Sequence, residues 1–373
     1  MLKEGIPIGR VFGISIRLHY SWFVIFALTT WALSADYFPA VYPHWSTAVS
    51  ISAGIITSLL FFISLLAHEL MHCLVAQRYR IPVKAITLFI FGGVSHIAEE
   101  PHDARTEFRI AVAGPLTSII LGGIFWLLWY LLPPSLDVIA AVSFWLGWIN
   151  ILLAVFNLVP GFPLDGGRVL RSIIWWRTGS LQRATRLASG TGRGIGFLFI
   201  FAGVWLAFTG NWSSGIWLGL IGWFLASAAA SSYSQMIMQQ SLEGHTVSEI
   251  VSGDCISVAP DLSIERLVNE YILPTGRRCF AVVREGITLG LVTLQEVKGV
   301  LRDMRSRVVV VQIMKPLEKL KQVTPDEDLS TVLNILAQEN VNQVPVMVNG
   351  QLVGVVTHEN LISFIKQSDR KSS

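Results

Sequence analysis

Charge is scarce in this chain. Asp, Glu, Lys and Arg make up 14% of its 373 residues, against roughly 25% in ordinary soluble domains. Hydrophobic residues make up 52%, and mean hydropathy is +0.56. That excludes a freely soluble globular protein over most of the length and indicates a polytopic membrane protein. The net charge of +3 is too small for a nucleic-acid surface, so no nucleic-acid partner is expected. Cysteine is equally sparse. Cys73, Cys255 and Cys279 show no C-x-x-C spacing, which indicates neither a disulfide framework nor a zinc knuckle. Cys73 adjoins His72 but points about 100° round a helix from it, so it reads as packing. The N-terminus lacks a compact apolar core followed by a small-residue cleavage site. No cleavable signal peptide is expected, and the first span should serve as the insertion signal.

Lys and Arg are also missing from particular loops, and that absence orients the chain. Six spans are expected, at about 19–34, 48–77, 108–132, 138–158, 195–209 and 216–230. The loops after the first, third and fifth carry no Lys or Arg, whereas the N-terminus and the loops after the second and fourth carry many. The positive-inside rule then puts both termini in the cytoplasm of a multi-pass cell-membrane protein, in contact with the bilayer throughout. Residues 6–18 alternate loosely and suggest a short strand before the membrane. Pro82 to Ile97 is β-rich, with Gly92-Gly93 as a turn, too short to span and too apolar for a solvated loop. A re-entrant hairpin at the membrane edge fits it.

What the chain does have is FFISLLAHELMHCLVAQ, Phe61 to Gln77, an apolar run with His68, Glu69 and His72 inside it. On a helix His68 and His72 share a face, so their imidazoles can hold one metal ion. Glu69 beside them can take a proton from an attacking water. Three such groups are costly to bury in a membrane, which makes a functional reading the default. A catalytic zinc needs three protein ligands, and no His follows His72 in the next register. Glu99 and Glu100 lie downstream in EEPHDAR, a charged stretch that reads as a loop, and His96 and His102 are nearby. Asp165 is the stronger candidate: it is the one carboxylate in VFNLVPGFPLDGGR, at the end of the fourth span that loop charge sets level with the histidines. Pro160 and Pro163 break the helix there, and Gly166-Gly167 allows close approach.

Beyond Met238 the composition turns soluble and a repeat appears. Val258-Ala259-Pro260 answers Val323-Thr324-Pro325, and Gly290 to Thr293 answers Gly354 to Thr357. Asn349-Gly350 is the clearest hairpin turn. This part, about 243–367, resembles a tandem pair of CBS modules. The resemblance implies an adenine-nucleotide site at Thr293 and Glu296 in one copy and Thr357 and Asn360 in the other. Neither copy has the family's Asp at the ribose position. It also implies regulation and pairing of two chains through this part.

HELMH in an apolar helix, FGGV in a hairpin, AGPLTS and NLVPGFPLDGG resemble the site-2 protease family of intramembrane zinc metalloproteases over residues 1 to about 235. The resemblance implies one Zn²⁺ per chain, held by His68, His72 and Asp165, with Glu69 as general base. Asn157 would hydrogen-bond the scissile carbonyl or oxyanion. The expected substrate is a single-span membrane protein of the anti-sigma-factor or tethered-regulator kind, cut by regulated intramembrane proteolysis, with the 86–97 hairpin offering a strand edge to it. The fold expected is an α-helical polytopic core of about six spans with a short β-hairpin, followed by an α/β tandem CBS domain. The expected boundaries are 1–240, 241–305 and 306–373. A CBS-regulated transporter or channel is the rival reading. The two halves of the membrane part show no repeat, as a transporter of repeat architecture would.

Overall fold

The computed structural model describes residues 5–97, 101–242, 244–252, 255–339, 341–348 and 351–371. The chain forms two compact units, one ending at Ser234 and one beginning at Gln235.

The first unit starts with a hairpin where a single strand was expected. β1 (Gly5–Val11) pairs antiparallel with β2 (Ile14–His19). Phe12 and Gly13 between them have φ of 49° and 81°, the left-handed pair that a tight two-residue hairpin turn needs. So short a turn barely interrupts the alternation, which is why the reversal was hidden. Ile14, Ile16 and Leu18 then point to one buried side.

Among the described residues, six helices are long and apolar enough to cross a membrane. α1 (Tyr20–Trp31) continues through a π-helical stretch at Ala32–Tyr37 into α2 (Phe38–Val41), past the end expected at Ser34. α3 (Thr47–Arg78) and α4 (Ala104–Leu131) follow, then α5 (Asp137–Asn157). A shorter helix, α6 (Asp165–Thr178), precedes α7 (Leu181–Phe208) and α8 (Trp212–Gln240). Large apolar side chains stay exposed on the outside of these helices, Phe208 at 84% and Trp205 at 70% among them. Hydrocarbon, not water, is the solvent that suits such a surface.

Between helices, small residues let backbones touch. A Cβ on Gly203 would lie 2.6 Å from the carbonyl oxygen of Gly215, and one on Gly215 would lie 2.6 Å from that of Gly203. The glycines of the fifth span thus seat α7 against α8, and α7 is far longer than the span expected there.

β3 (Val83–Phe89) runs parallel to β2, and β4 (Gly92–Ile97) runs antiparallel to β3. The expected hairpin is therefore half of a four-stranded sheet in the order β1-β2-β3-β4. Its turn is Ile90-Phe91, and Gly92 and Gly93 belong to β4. β3 is sandwiched, so among the described strands β4 is the one of the hairpin's two that lies at the sheet edge.

In the second unit β5 (Ile256–Val258) lies parallel to β6 (Cys279–Arg284), which turns back into β7 (Ile287–Thr293) beside β8 (Lys315–Pro316). β9 (Gln343–Val348) and β10 (Gln351–Thr357) form the second hairpin. Its turn, expected at Asn349-Gly350, lies outside the described residues. Each copy has its own core, around Val258, Phe280 and Val292 in one and Val323, Val344 and Val356 in the other. Cys255 and Cys279 form a disulfide, contrary to the reading of the cysteines as unlinked. Parallel pairing of Ile256 with Phe280 sets the preceding residues side by side, Cα to Cα 4.9 Å, which a separation of 24 residues does not reveal.

Candidate metal centre

His68 and His72 stand one turn apart on α3, both buried, with ring centroids 5.0 Å apart. Asp165, the first residue of α6, meets them with its carboxylate. Its Oδ2 lies 3.1 Å from His68 Nε2 and 3.2 Å from His72 Nε2. One ligand atom from each of the three residues falls within 4.8 Å of the others. The outer nitrogens are occupied. His72 Nδ1 lies 2.6 Å from the Ile110 carbonyl oxygen, and His68 Nδ1 lies 2.9 Å from Ser118 Oγ. A carbonyl only accepts, so His72 Nδ1 carries the proton and, in the neutral ring, Nε2 turns a lone pair inward toward a carboxylate oxygen. Two acceptors face each other there, and a cation between them satisfies both. Second-sphere partners of this kind commonly fix the orientation of ligating histidines.

Gly114 of α4 is the floor of this cluster. A Cβ there would lie 2.1 Å from His72 Nε2 and 2.5 Å from His68 Nε2. The space beneath the imidazoles exists because residue 114 has no side chain.

The approach of Asp165 depends on the loop before it. Leu158 to Leu164 folds back on the first turn of α6, where a Cβ on Gly166 would lie 2.3 Å from the Leu158 carbonyl oxygen. A Cβ on Gly167 would lie 2.4 Å from the Gly161 carbonyl carbon. Further along α6, Arg171 forms a buried ion pair with Glu107 in the first turn of α4, and its guanidinium lies over the Phe162 ring. α4 thus touches every part of the cluster: Ile110 and Ser118 orient the histidines, Gly114 makes room, and Glu107 ties down the helix that starts at Asp165. Arg171→Met leaves the Glu107 carboxylate buried without its main counter-charge. It should destabilise the fold by about 3–5 kcal/mol, read as an earlier midpoint in a detergent-unfolding titration.

Glu69 projects beside the cluster, and its Oε2 accepts a hydrogen bond of 2.7 Å from Ser95 of β4. Gly93 gives it room, since a Cβ there would lie 2.4 Å from Glu69 Cγ. Of the two glycines read as a turn, Gly93 therefore serves close approach, while Gly92 takes a φ of 133° at the start of β4 with open space around it. Glu69, His72, Asp165 and Asn157 line one cavity of about 510 Å³, walled also by Val94 of β4 and Phe224 of α8. Asn157 ends α5 and donates through Nδ2 to the Leu153 carbonyl at 3.0 Å. Phe224 stacks on Phe91 of the hairpin turn, 4.4 Å between centroids.

The other candidates lie elsewhere. His96 pairs with Thr87 at 3.2 Å and His102 is exposed; neither joins the cluster found among the described residues. Glu99 and Glu100 lie outside the described residues. In the second unit Thr293 and Glu296 cap their own helix, with Glu296 3.1 Å from Lys315 Nζ. Burial pushes the Glu296 carboxyl up, but Thr293 and Lys315 outweigh it and hold it below the ordinary glutamate range. Thr357 and Asn360 cap theirs in the same way. The cavity beside Thr293 measures about 20 Å³, room for a water and far short of a nucleotide.

The family model for Peptidase family M50 matches residues 56–137 and 135–203, and that for the CBS domain matches residues 304–367. The chain is 32% identical over 368 residues to the putative zinc metalloprotease Rip3 of Mycobacterium tuberculosis, covering 98% of this chain and 93% of that one. It is 32% identical over 370 residues to the putative zinc metalloprotease sll0528 of Synechocystis, covering 98% and 97% of the two chains. A solved structure, the site-2 protease from Methanocaldococcus jannaschii, is 26% identical over 61% of this chain and 95% of that one, with a TM-score of 0.43.

Proposed function

Since the chain belongs to peptidase family M50, the site-2 protease family of membrane zinc metalloproteases, we propose that it is an endopeptidase that cuts a single-span protein within or beside its membrane segment. The observation that carries the reading is the convergence of His68, His72 and Asp165 on one point, with the outer nitrogens of both histidines already engaged. Those three residues would hold the zinc.

Zinc, when bound, polarises the peptide carbonyl and makes water acidic enough to attack near neutral pH. The chain's own groups do the rest. Glu69, aimed by Ser95, takes the proton of the attacking water and returns it to the leaving amine. The Asn157 amide can turn from Leu153 to donate to the carbonyl oxygen as negative charge grows there. A helical substrate hides its carbonyls in its own hydrogen bonds. Once unwound, it can pair along the free edge of β4, which carries Val94 and Ser95 into the cavity wall. The substrate class in this reading is a membrane-tethered regulator or anti-sigma factor.

Loop charge supports a cytoplasmic position for the termini and the CBS unit. The Cys255–Cys279 bond weighs the other way, because disulfides are uncommon in that compartment. Agreement of all the loops outweighs one bond. The CBS unit would act as a regulator and as a contact between two chains. An adenine nucleotide there would have to open the caps at Thr293–Glu296 and Thr357–Asn360.

The test is cleavage of a model single-span substrate in detergent, with zinc measured in the same samples. Asp165→Asn should lose both zinc and cleavage. Full zinc occupancy in that variant would remove Asp165 from the ligand set.

A further inference from the structure

Outside the catalytic cavity, α4 and α6 enclose a second cavity of about 300 Å³, lined by Arg105, Phe108 and Arg109 on one side and Ser172, Ile173 and Trp176 on the other. Its upper rim is cationic. Arg105 and Arg109 are one turn apart and exposed, and Arg109 is held in place by the Tyr79 hydroxyl and ring. Among the described residues, Asp103 lies in electrostatic reach of Arg109 but accepts its hydrogen bonds from Arg105 N, Thr106 N and Thr106 Oγ1, and Glu107 is paired inward with Arg171. Its lower wall is apolar and exposed, with Phe108 at 41%, Ile173 at 38% and Trp176 at 66%. This face belongs to the first two turns of a helix long and apolar enough to cross a membrane, and the end of such a helix is where lipid headgroups meet chains.

We propose that this cavity binds an anionic phospholipid, its phosphate held by Arg105 and Arg109 and its chain laid along Phe108, Ile173 and Trp176. A phosphate alone would meet the guanidinia but leave the apolar wall bare. An apolar molecule would bring no hydrogen-bonding anion to the two guanidinia. Only an amphiphile with a negative head satisfies both halves, and basic pockets between membrane helices take such lipids. The site sits on the outer side of the Glu107–Arg171 pair. A lipid bound there would press α6 onto α4 and so steady the helix that presents Asp165.

The experiment uses the full-length protein in nanodiscs of phosphatidylcholine with or without phosphatidylglycerol, then extraction and native mass spectrometry of retained lipid. Wild type should keep phosphatidylglycerol in preference to phosphatidylcholine. Arg105→Gln with Arg109→Gln should reduce that retention roughly 30-fold, the scale for two basic residues at an anionic surface. Arg183→Gln with Arg186→Gln, exposed arginines of α7 away from this cavity, should change it far less. Excess inorganic phosphate should not displace the lipid. Equal losses in the two double variants, retention unchanged in the first, or displacement by phosphate would each overturn the proposal.

Discussion

Glu69→Gln should keep its zinc and lose cleavage by roughly 10²- to 10⁴-fold, the contribution of a positioned acid–base group. Gln preserves the size of the side chain and can still meet the Ser95 hydroxyl, so the cavity and the cluster beyond it should be unchanged. What it cannot do is take up a proton. Glu69 is not one of the three residues whose ligand atoms converge, and its Oε2 is turned to Ser95 at 2.7 Å. Zinc content and activity should therefore part company in this variant, whereas in Asp165→Asn they fall together. Metal analysis beside the cleavage assay reads the difference. Cleavage at the wild-type rate by Glu69→Gln would refute the role of Glu69 as the base.

The three residues that converge at the candidate metal centre were legible in the sequence because each is a chemically distinctive letter in an apolar setting. Helical spacing alone aligns His68 with His72, and Asp165 stands out as the sole carboxylate near its span end. The groups that hold those residues in place were not legible. The Ile110 carbonyl that fixes His72 is backbone and has no letter. Ser118 lies in AGPLTS, which carries the family resemblance without assigning a role to any of its residues, and Gly114 before it gave no sign of lying beneath two imidazoles. Glu107 sits among charged neighbours and reads as solvated, yet it is fully buried against Arg171. Its helix begins at Ala104, one turn earlier than hydropathy suggested, because a paired charge can enter a span that composition alone would end.

The sheet was missed for a different reason. β2 and β3 pair in parallel, Ser15 with Ala85 and Leu18 with Leu88, across two intervening membrane helices. No local pattern encodes a partner so distant. That pairing is what turns an apolar hairpin at the membrane edge into a fixed wall. It leaves β4 as the edge strand and brings Ser95 and Gly93 to Glu69. α6 escaped notice because its first turn is Asp-Gly-Gly, a sequence that favours loops. Here both glycines are required by the loop folded against them.

Gly114→Ala should empty the metal centre without altering any residue of the cluster. Alanine is the better helix former by about 1 kcal/mol, so α4 itself should fold at least as well. The added methyl, however, would sit 2.1 Å from His72 Nε2 and 2.5 Å from His68 Nε2, far inside van der Waals contact. Neither ring can retreat cheaply, since Ile110 and Ser118 hold their outer nitrogens and both are buried. Relief must come by rotating an imidazole off its partner or by moving α4 away from α3, and either separates the ligand atoms. Losing second-sphere orientation alone commonly costs 10- to 100-fold in metal affinity; displacement of the ligating atoms should cost on the order of 100-fold or more. Gly123→Ala is the matched control. It lies on the same helix with nothing within 4 Å of the new methyl, and it should retain zinc and activity. Competition of each purified variant against a chelator of known affinity measures the effect. Equal zinc affinity in the two variants would mean that the histidines do not meet above Gly114, and with it the geometry argued for the centre would fall.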